Sequence, residues 1–144
     1  MNYILDTNVV SELIAAQPNP QVIQWIDSIP AEHFYLSVIT IGEIVKGIEK
    51  LPKSAHKQTL INWLHSDLLV RFQDRLLALD VQTLITWGRL VARLEAIGRP
   101  LPAIDSLLTA TAAAAGFTLV TRNVIDFADT GIALLNPWDA NIKP

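Results

Sequence analysis

At 144 residues, 51% of them hydrophobic, and with a net charge of −3, the chain fits one compact domain over 1–144. It has no cysteine, which excludes a disulfide framework and a thiolate metal site, and no run of about 18 apolar residues, which excludes a spanning helix. The start, MNYILDTN, lacks the basic stretch of a signal peptide. A soluble, cytoplasmic protein is expected, and a mean hydropathy of +0.33 leaves apolar surface for another chain to cover.

In chain order, Asn2–Leu5 reads as a short buried strand closed by Asp6. Asp6, Thr7 and Asn8 are good N-cap residues, and Val9, Val10, Leu13 and Ile14 follow at helical spacing. Pro20 opens a second helix that ends by Pro30, and Phe34–Ile39 is aromatic and β-branched, a second strand. A helix from Thr40 carries Ile41, Ile44, Val45, Ile48 and Leu51, and a longer helical stretch runs from about Ser54 to Phe72. Arg75–Leu79 is a third strand, Val81–Ile97 a helix stopped by Gly98 and Pro100, and Ala103–Ala115 a helix capped by Gly116. Thr118–Thr121 and Ile132–Leu135 complete five strands. Strands alternating with helices predict an α/β fold, with a central, mostly parallel five-stranded sheet flanked by helices.

Four acids stand where these strands end or helices begin: Asp6, Glu43, Asp105 and Asp126. In a parallel sheet the carboxyl ends of the strands form one rim, where ligand sites gather. Crowded carboxylates repel unless a cation joins them, and hard oxygen ligands select Mg²⁺ or Mn²⁺. Each acid alone also has an ordinary explanation. Asp6 and Asp105 would cap helices, Thr40-x-x-Glu43 fits a capping box, and Asp126 would cap a turn before Phe127. Topology puts Asp6, Glu43 and Asp126 on one rim, whereas Asp105 needs the loop from Gly98 to Pro102 to bring it across.

Charge is uneven along the chain. Residues 1–45 hold five acids and no Lys or Arg, 46–122 hold ten bases against six acids, and 123–144 hold three acids and one lysine. A basic middle beside an acidic centre suits a phosphate backbone, although solvated helix faces account for the same bases. His33, His56 and His65 lack HExxH spacing, and no phosphate loop, GxGxxG or GxSxG is present. The tryptophans at 25, 63 and 87 fall on apolar helix faces, and Trp138 stands at a sheet edge.

At these residues the chain resembles the PIN-domain proteins, specifically VapC/FitB-like toxins of type II toxin–antitoxin systems. The stretches that carry the resemblance are YILDTNVVSEL, LSVITIGEIVKGIEKL, GRPLPAIDSLLTATAAAAG, and LVTRNVIDF followed by LLNPW. It implies a single PIN-like domain and an Mg²⁺- or Mn²⁺-dependent endoribonuclease toxin. It also implies a homodimer held inactive by a cognate antitoxin, with operator DNA contacted only through that complex. Asp6, Glu43 and Asp105 fall on the family's acidic triad, with Asp6 and Asp105 as direct metal ligands. At the fourth position, directly after the fourth strand, this chain has Asn123, with Asp126 three residues on. Thr7, Asn8 and Thr121 are expected to support the acids, and Lys46 and Arg122 to contact the RNA phosphate.

Two rival readings stand beside this one. A haloacid-dehalogenase-type phosphatase needs DxD, where this chain has Asn8. A non-catalytic PIN-like module would bind a partner and contact DNA. An amphipathic antitoxin segment is expected in a groove near Val9 to Ile14 and Ile44 to Leu51.

Overall fold

The computed structural model describes residues 1–142; the last two residues of the expected domain lie outside it. Strand β1 (Tyr3–Leu5) leads into α1 (Thr7–Leu13) and α2 (Pro20–Asp27), followed by β2 (Phe34–Ser37) and α3 (Val38–Glu49). A helical run then passes from α4 (Ala55–Trp63) through one π turn, Leu64–Leu68, into α5 (Leu69–Arg71). After β3 (Leu76–Leu77) come α6 (Val81–Ala96), α7 (Ala103–Ala115), β4 (Thr118–Val120), a 3-10 turn (Val124–Thr130) and β5 (Leu134–Leu135). The five strands form one all-parallel sheet in the order β3-β2-β1-β4-β5.

Alternation along β1 divides the core between the two faces of the sheet. Leu5 belongs to a cluster with Val9, Val10, Leu36, Ile44, Leu64, Leu68 and Phe72, under α1 to α5. Tyr3, Trp25 and Phe34 pack together on that side, with ring centroids 5.3 to 5.7 Å apart. Ile4 turns to the opposite face, against Leu108, Ala112, Leu119 and Phe127. Burial on both faces explains why β1 reads as a continuous apolar run.

Several expected boundaries move, with the third strand shortened to Leu76–Leu77 and the fifth to Leu134–Leu135. The second strand ends at Ser37 rather than Ile39, because Ser37 is the N-cap of α3 and accepts a hydrogen bond from the Ile39 amide at 3.1 Å. The β-branched pair Val38 and Ile39 reads as strand, and tertiary packing overrides that propensity. Thr40 therefore lies inside the helix, and the expected capping box with Glu43 does not form. The Thr40 side chain is fully buried, and its hydroxyl has no hydrogen-bond partner. A buried unpaired hydroxyl costs on the order of 1–3 kcal/mol. Thr40→Val is expected to raise stability by about 1 kcal/mol, and a thermal melt no higher than wild type would contradict it.

The stretch from α6 to β4 places Asp105. α6 and α7 lie side by side, with the start of α6 near the end of α7, since Asp80, Gln82 and Thr83 share a crevice with Thr111, Ala114 and Ala115. α7 must end where β4 begins, so its first turn stands at the carboxyl-end rim. Gly116, at φ +72°, closes it immediately before β4.

Candidate active site

Strand order reverses about β1, so the crevice between the carboxyl ends of β1 and β4 is the switch point where an open parallel sheet offers a site. Asp6 follows β1 and Thr121 follows β4. The Thr121 hydroxyl donates to Asp6 Oδ2 at 2.8 Å, closing that crevice. Asp6 also caps α1, its Oδ1 accepting from the Thr7 amide at 2.7 Å. Capping and site geometry are two uses of one carboxylate. The Asn8 side-chain amide reaches Thr121 Oγ1 at 3.3 Å, and its oxygen accepts from the Arg122 amide at 3.3 Å. The Asn123 amide donates to the same Thr121 oxygen at 3.1 Å.

Glu43, half-buried on α3, accepts from the Thr7 hydroxyl at 2.7 Å, so Thr7 bridges α1 and α3. Asp105 lies in the first turn of α7, where Pro102 holds the cap position and no side chain caps the helix. Asp105 is therefore not a capping residue, contrary to its ordinary explanation. Its turn is held by Ser106, whose hydroxyl donates to the Ala103 carbonyl at 2.7 Å and accepts from the Trp87 indole at 2.9 Å.

Electrostatics join the four acids. Partial burial pushes the Asp105 carboxyl up, and the charges of Asp6, Glu43 and Asp126 push it further. Burial also raises Asp6, opposed by its hydrogen bonds from Thr121 and Thr7, while Glu43 adds to the rise. Asp126, exposed in the 3-10 turn, is thus within electrostatic reach of Asp105. Asn123 precedes that turn, and its carbonyl accepts from the Asp126 amide at 3.0 Å.

The donors suit a hard divalent cation by chemistry: carboxylates that repel one another, with no thiolate or imidazole among them. Among the described residues the ion pairs are Arg71–Asp67 and Arg99–Asp129, so no basic side chain neutralises the four. Among the same residues no three acids already stand together as a ready ligand set. Side-chain rotation would have to gather them; among the described residues the Asp105 and Asp126 carboxylates make no hydrogen bond that would hold them back, whereas Asp6 and Glu43 are held by Thr121 and Thr7.

Of the two expected phosphate contacts, Lys46 is exposed on α3 one turn beyond Glu43. Arg122 is exposed, with its guanidinium carbon 5.2 Å from the centre of the Trp138 ring. Sequence reasoning did not single out Ser106 or Asn136, small polar residues whose partners Trp87 and Arg122 lie 19 and 14 positions away. Beside the acids opens a cavity of about 540 Å³, lined by Thr7, Ile14, Glu43, Gly47, Ile48 and Leu60 among others. It coincides with the groove expected along Val9 to Ile14 and Ile44 to Leu51, with Val9 and Val10 themselves in the core.

Residues 3–132 match the PIN domain family. Over 94% of its length the chain is 34% identical to a VapC ribonuclease of Sinorhizobium fredii, of which it covers 97%. It is 33% identical to the toxin FitB of Neisseria gonorrhoeae, over 94% of this chain and 97% of FitB. A solved structure of FitAB bound to a DNA fragment matches with a TM-score of 0.92 at 31% identity, over 99% of each chain.

Proposed function

The chain belongs to the PIN-domain family, among the VapC and FitB toxins, and we propose that it is a divalent-metal-dependent endoribonuclease toxin of a toxin–antitoxin system. The observation that carries this reading is the placing of Asp6 at the β1/β4 switch point with Glu43, Asp105 and Asp126 around it, where the charges of the other three act on Asp105 and, among the described residues, none of the four is in an ion pair. Asp6, Asp105 and Glu43 would hold Mg²⁺ or Mn²⁺, with Asp126 or Asn123 at the margin. When bound, the ion would supply Lewis acidity that lowers the pKa of a water and positive charge opposite the phosphate oxygens.

The remaining work falls to the chain itself. Hydrogen bonds from Thr121 and the Thr7 amide favour the ionised form of Asp6, and the Thr7 hydroxyl fixes one oxygen of Glu43. Lys46 and Arg122 flank the acids and position the RNA backbone as contacts that carry no base preference. Because a water attacks, rather than the ribose 2′-hydroxyl, the products carry 5′-phosphate and 3′-hydroxyl ends. End analysis of a cleaved oligoribonucleotide, with Mn²⁺ and with EDTA, tests the reaction. A 2′,3′-cyclic phosphate, or cleavage that survives EDTA, would overturn it.

The partner follows from the groove. Its apolar lining suits one face of an amphipathic segment, and its acidic end at Glu43 suits a basic residue on that segment. A cognate antitoxin is the occupant, and operator DNA is reached through that complex, as FitAB is bound to DNA. Homodimerisation uses α6, where Val81, Leu84 and Ile85 are exposed, with Gly88 and Ala92 allowing close helix approach. Gly47 lines the groove and has open space where a Cβ would stand. Gly47→Phe is expected to weaken antitoxin binding at least about tenfold, the cost of losing roughly 1.4 kcal/mol of contact. RNA cleavage by the free protein should persist. Unchanged affinity by titration calorimetry would place the partner elsewhere.

A further inference from the structure

The geometry points to Trp138 as a positioning residue that holds Arg122 ready for the RNA backbone. For its substrate this inference rests on the ribonuclease reading above. Arg122 follows β4 at the rim that bears the acids, and both of its backbone groups are engaged by side chains. Its amide donates to Asn8 Oδ1 at 3.3 Å, and its carbonyl accepts from Asn136 Nδ2 at 3.4 Å. Asn136 also accepts from the Trp138 amide at 2.9 Å, so one side chain ties the arginine to the loop that carries the ring. The guanidinium carbon lies 5.2 Å from the ring centre, within cation–π range.

The ring is itself anchored. Trp138 packs half-buried against the core cluster of α1 to α5. Gln21, on α2, donates to the Pro137 carbonyl at 3.2 Å and to the carbonyl of Asp139. A loop after the last strand is thus bound on both sides of Trp138, and the exposed object it supports is Arg122. An arginine on a fixed aromatic face loses little side-chain freedom when it meets a phosphate, and its N–H groups remain available to oxygen. Among the described residues the ion pairs do not include Arg122, so its guanidinium engages none of the four acids. Stacked on Trp138 it stands clear of them.

The test uses the full chain and a fluorescent single-stranded oligoribonucleotide. Binding is read by anisotropy in EDTA over a range of salt, and cleavage is read in Mn²⁺. Trp138→Leu is expected to weaken binding and raise KM about fivefold with kcat little changed, and to lower the salt slope by about 0.7, the value of one phosphate contact on a single strand. Trp138→Phe, which keeps an aromatic face, should recover most of the loss. Arg122→Lys should fall between, since an ammonium keeps the charge without the planar stack. Equal affinity and salt slope for Trp138→Leu and wild type would overturn the inference, as would a loss confined to kcat. If Trp138→Leu does not fold, Arg122→Lys with wild-type affinity and slope overturns it instead. Binding and cleavage also separate the two readings. No cleavage in wild type with Trp138-sensitive binding sinks the ribonuclease and keeps the positioning role of Trp138; normal cleavage with insensitive binding does the reverse.

Discussion

Asp105→Asn is expected to lower RNA cleavage by at least about a hundredfold, the scale seen when a group stabilising transition-state charge is removed, while leaving the fold no less stable. The substitution is structurally neutral because Asp105 caps nothing; Pro102 holds that position, and the Trp87–Ser106 contact fixes the first turn of α7. Removing its charge relieves repulsion from Asp6, Glu43 and Asp126. Glu43→Gln should behave alike, since an amide oxygen still accepts from the Thr7 hydroxyl. Asp6→Asn is a less clean probe, because both carboxylate oxygens accept and an amide provides one acceptor. Paired measurements of cleavage in Mn²⁺ and of thermal melting decide the matter. Near-normal cleavage by Asp105→Asn would remove this residue from the site and leave Asp6 and Glu43 as an ordinary cap and its neighbour.

Divalent metal should raise the melting temperature of the wild type by about 10 °C at a hundredfold excess over Kd. Linkage gives about 2.7 kcal/mol there, and a domain of this size shifts by roughly 4 °C per kcal/mol. The effect should depend on pH with a definite sign. Asp6 and Asp105 have folded-state pKa values raised above the ordinary 3.8. Between that value and the raised one the native state holds more protons than the unfolded chain, so metal-free stability falls as pH rises through the window. A cation replaces those protons. The metal-induced shift should therefore be larger at neutral pH than at a pH just above the ordinary carboxylate value, and small in Asp105→Asn. A shift independent of pH would mean that the ion binds elsewhere.

Local chemistry made most of the elements legible. Proline, glycine and cap residues mark chain breaks wherever the fold is assembled, as at Pro20 opening α2 and Gly116 closing α7. The failures were tertiary. Val38 and Ile39 favour a strand by propensity, yet Ser37 and the packing of Ile44 and Ile48 make them helix. Asp105 seemed to need a long loop to reach the rim, but a helix that delivers a parallel strand already begins on that rim. Thr7 and Glu43 are 36 positions apart, and nothing near either residue announces their hydrogen bond. The standing of Asn123 against Asp126 was hidden for another reason. Asn123 precedes a 3-10 turn and Asp126 lies within it, and such turns leave little trace in sequence.

The place of β1 at the centre of the sheet has a consequence for how the protein is made. Its first neighbour, β2, emerges early, but β4 is drawn from residues 118–120, and the Thr121 that closes on Asp6 is 115 positions away from it. At about 5–20 residues per second, translation needs roughly 6 to 23 seconds to supply that partner. Until then the central strand lacks one edge, and the crevice between β1 and β4 does not exist. A nascent chain cannot assemble the acids while most of it is still being synthesised, so the order of the strands withholds the site until nearly the whole chain is made.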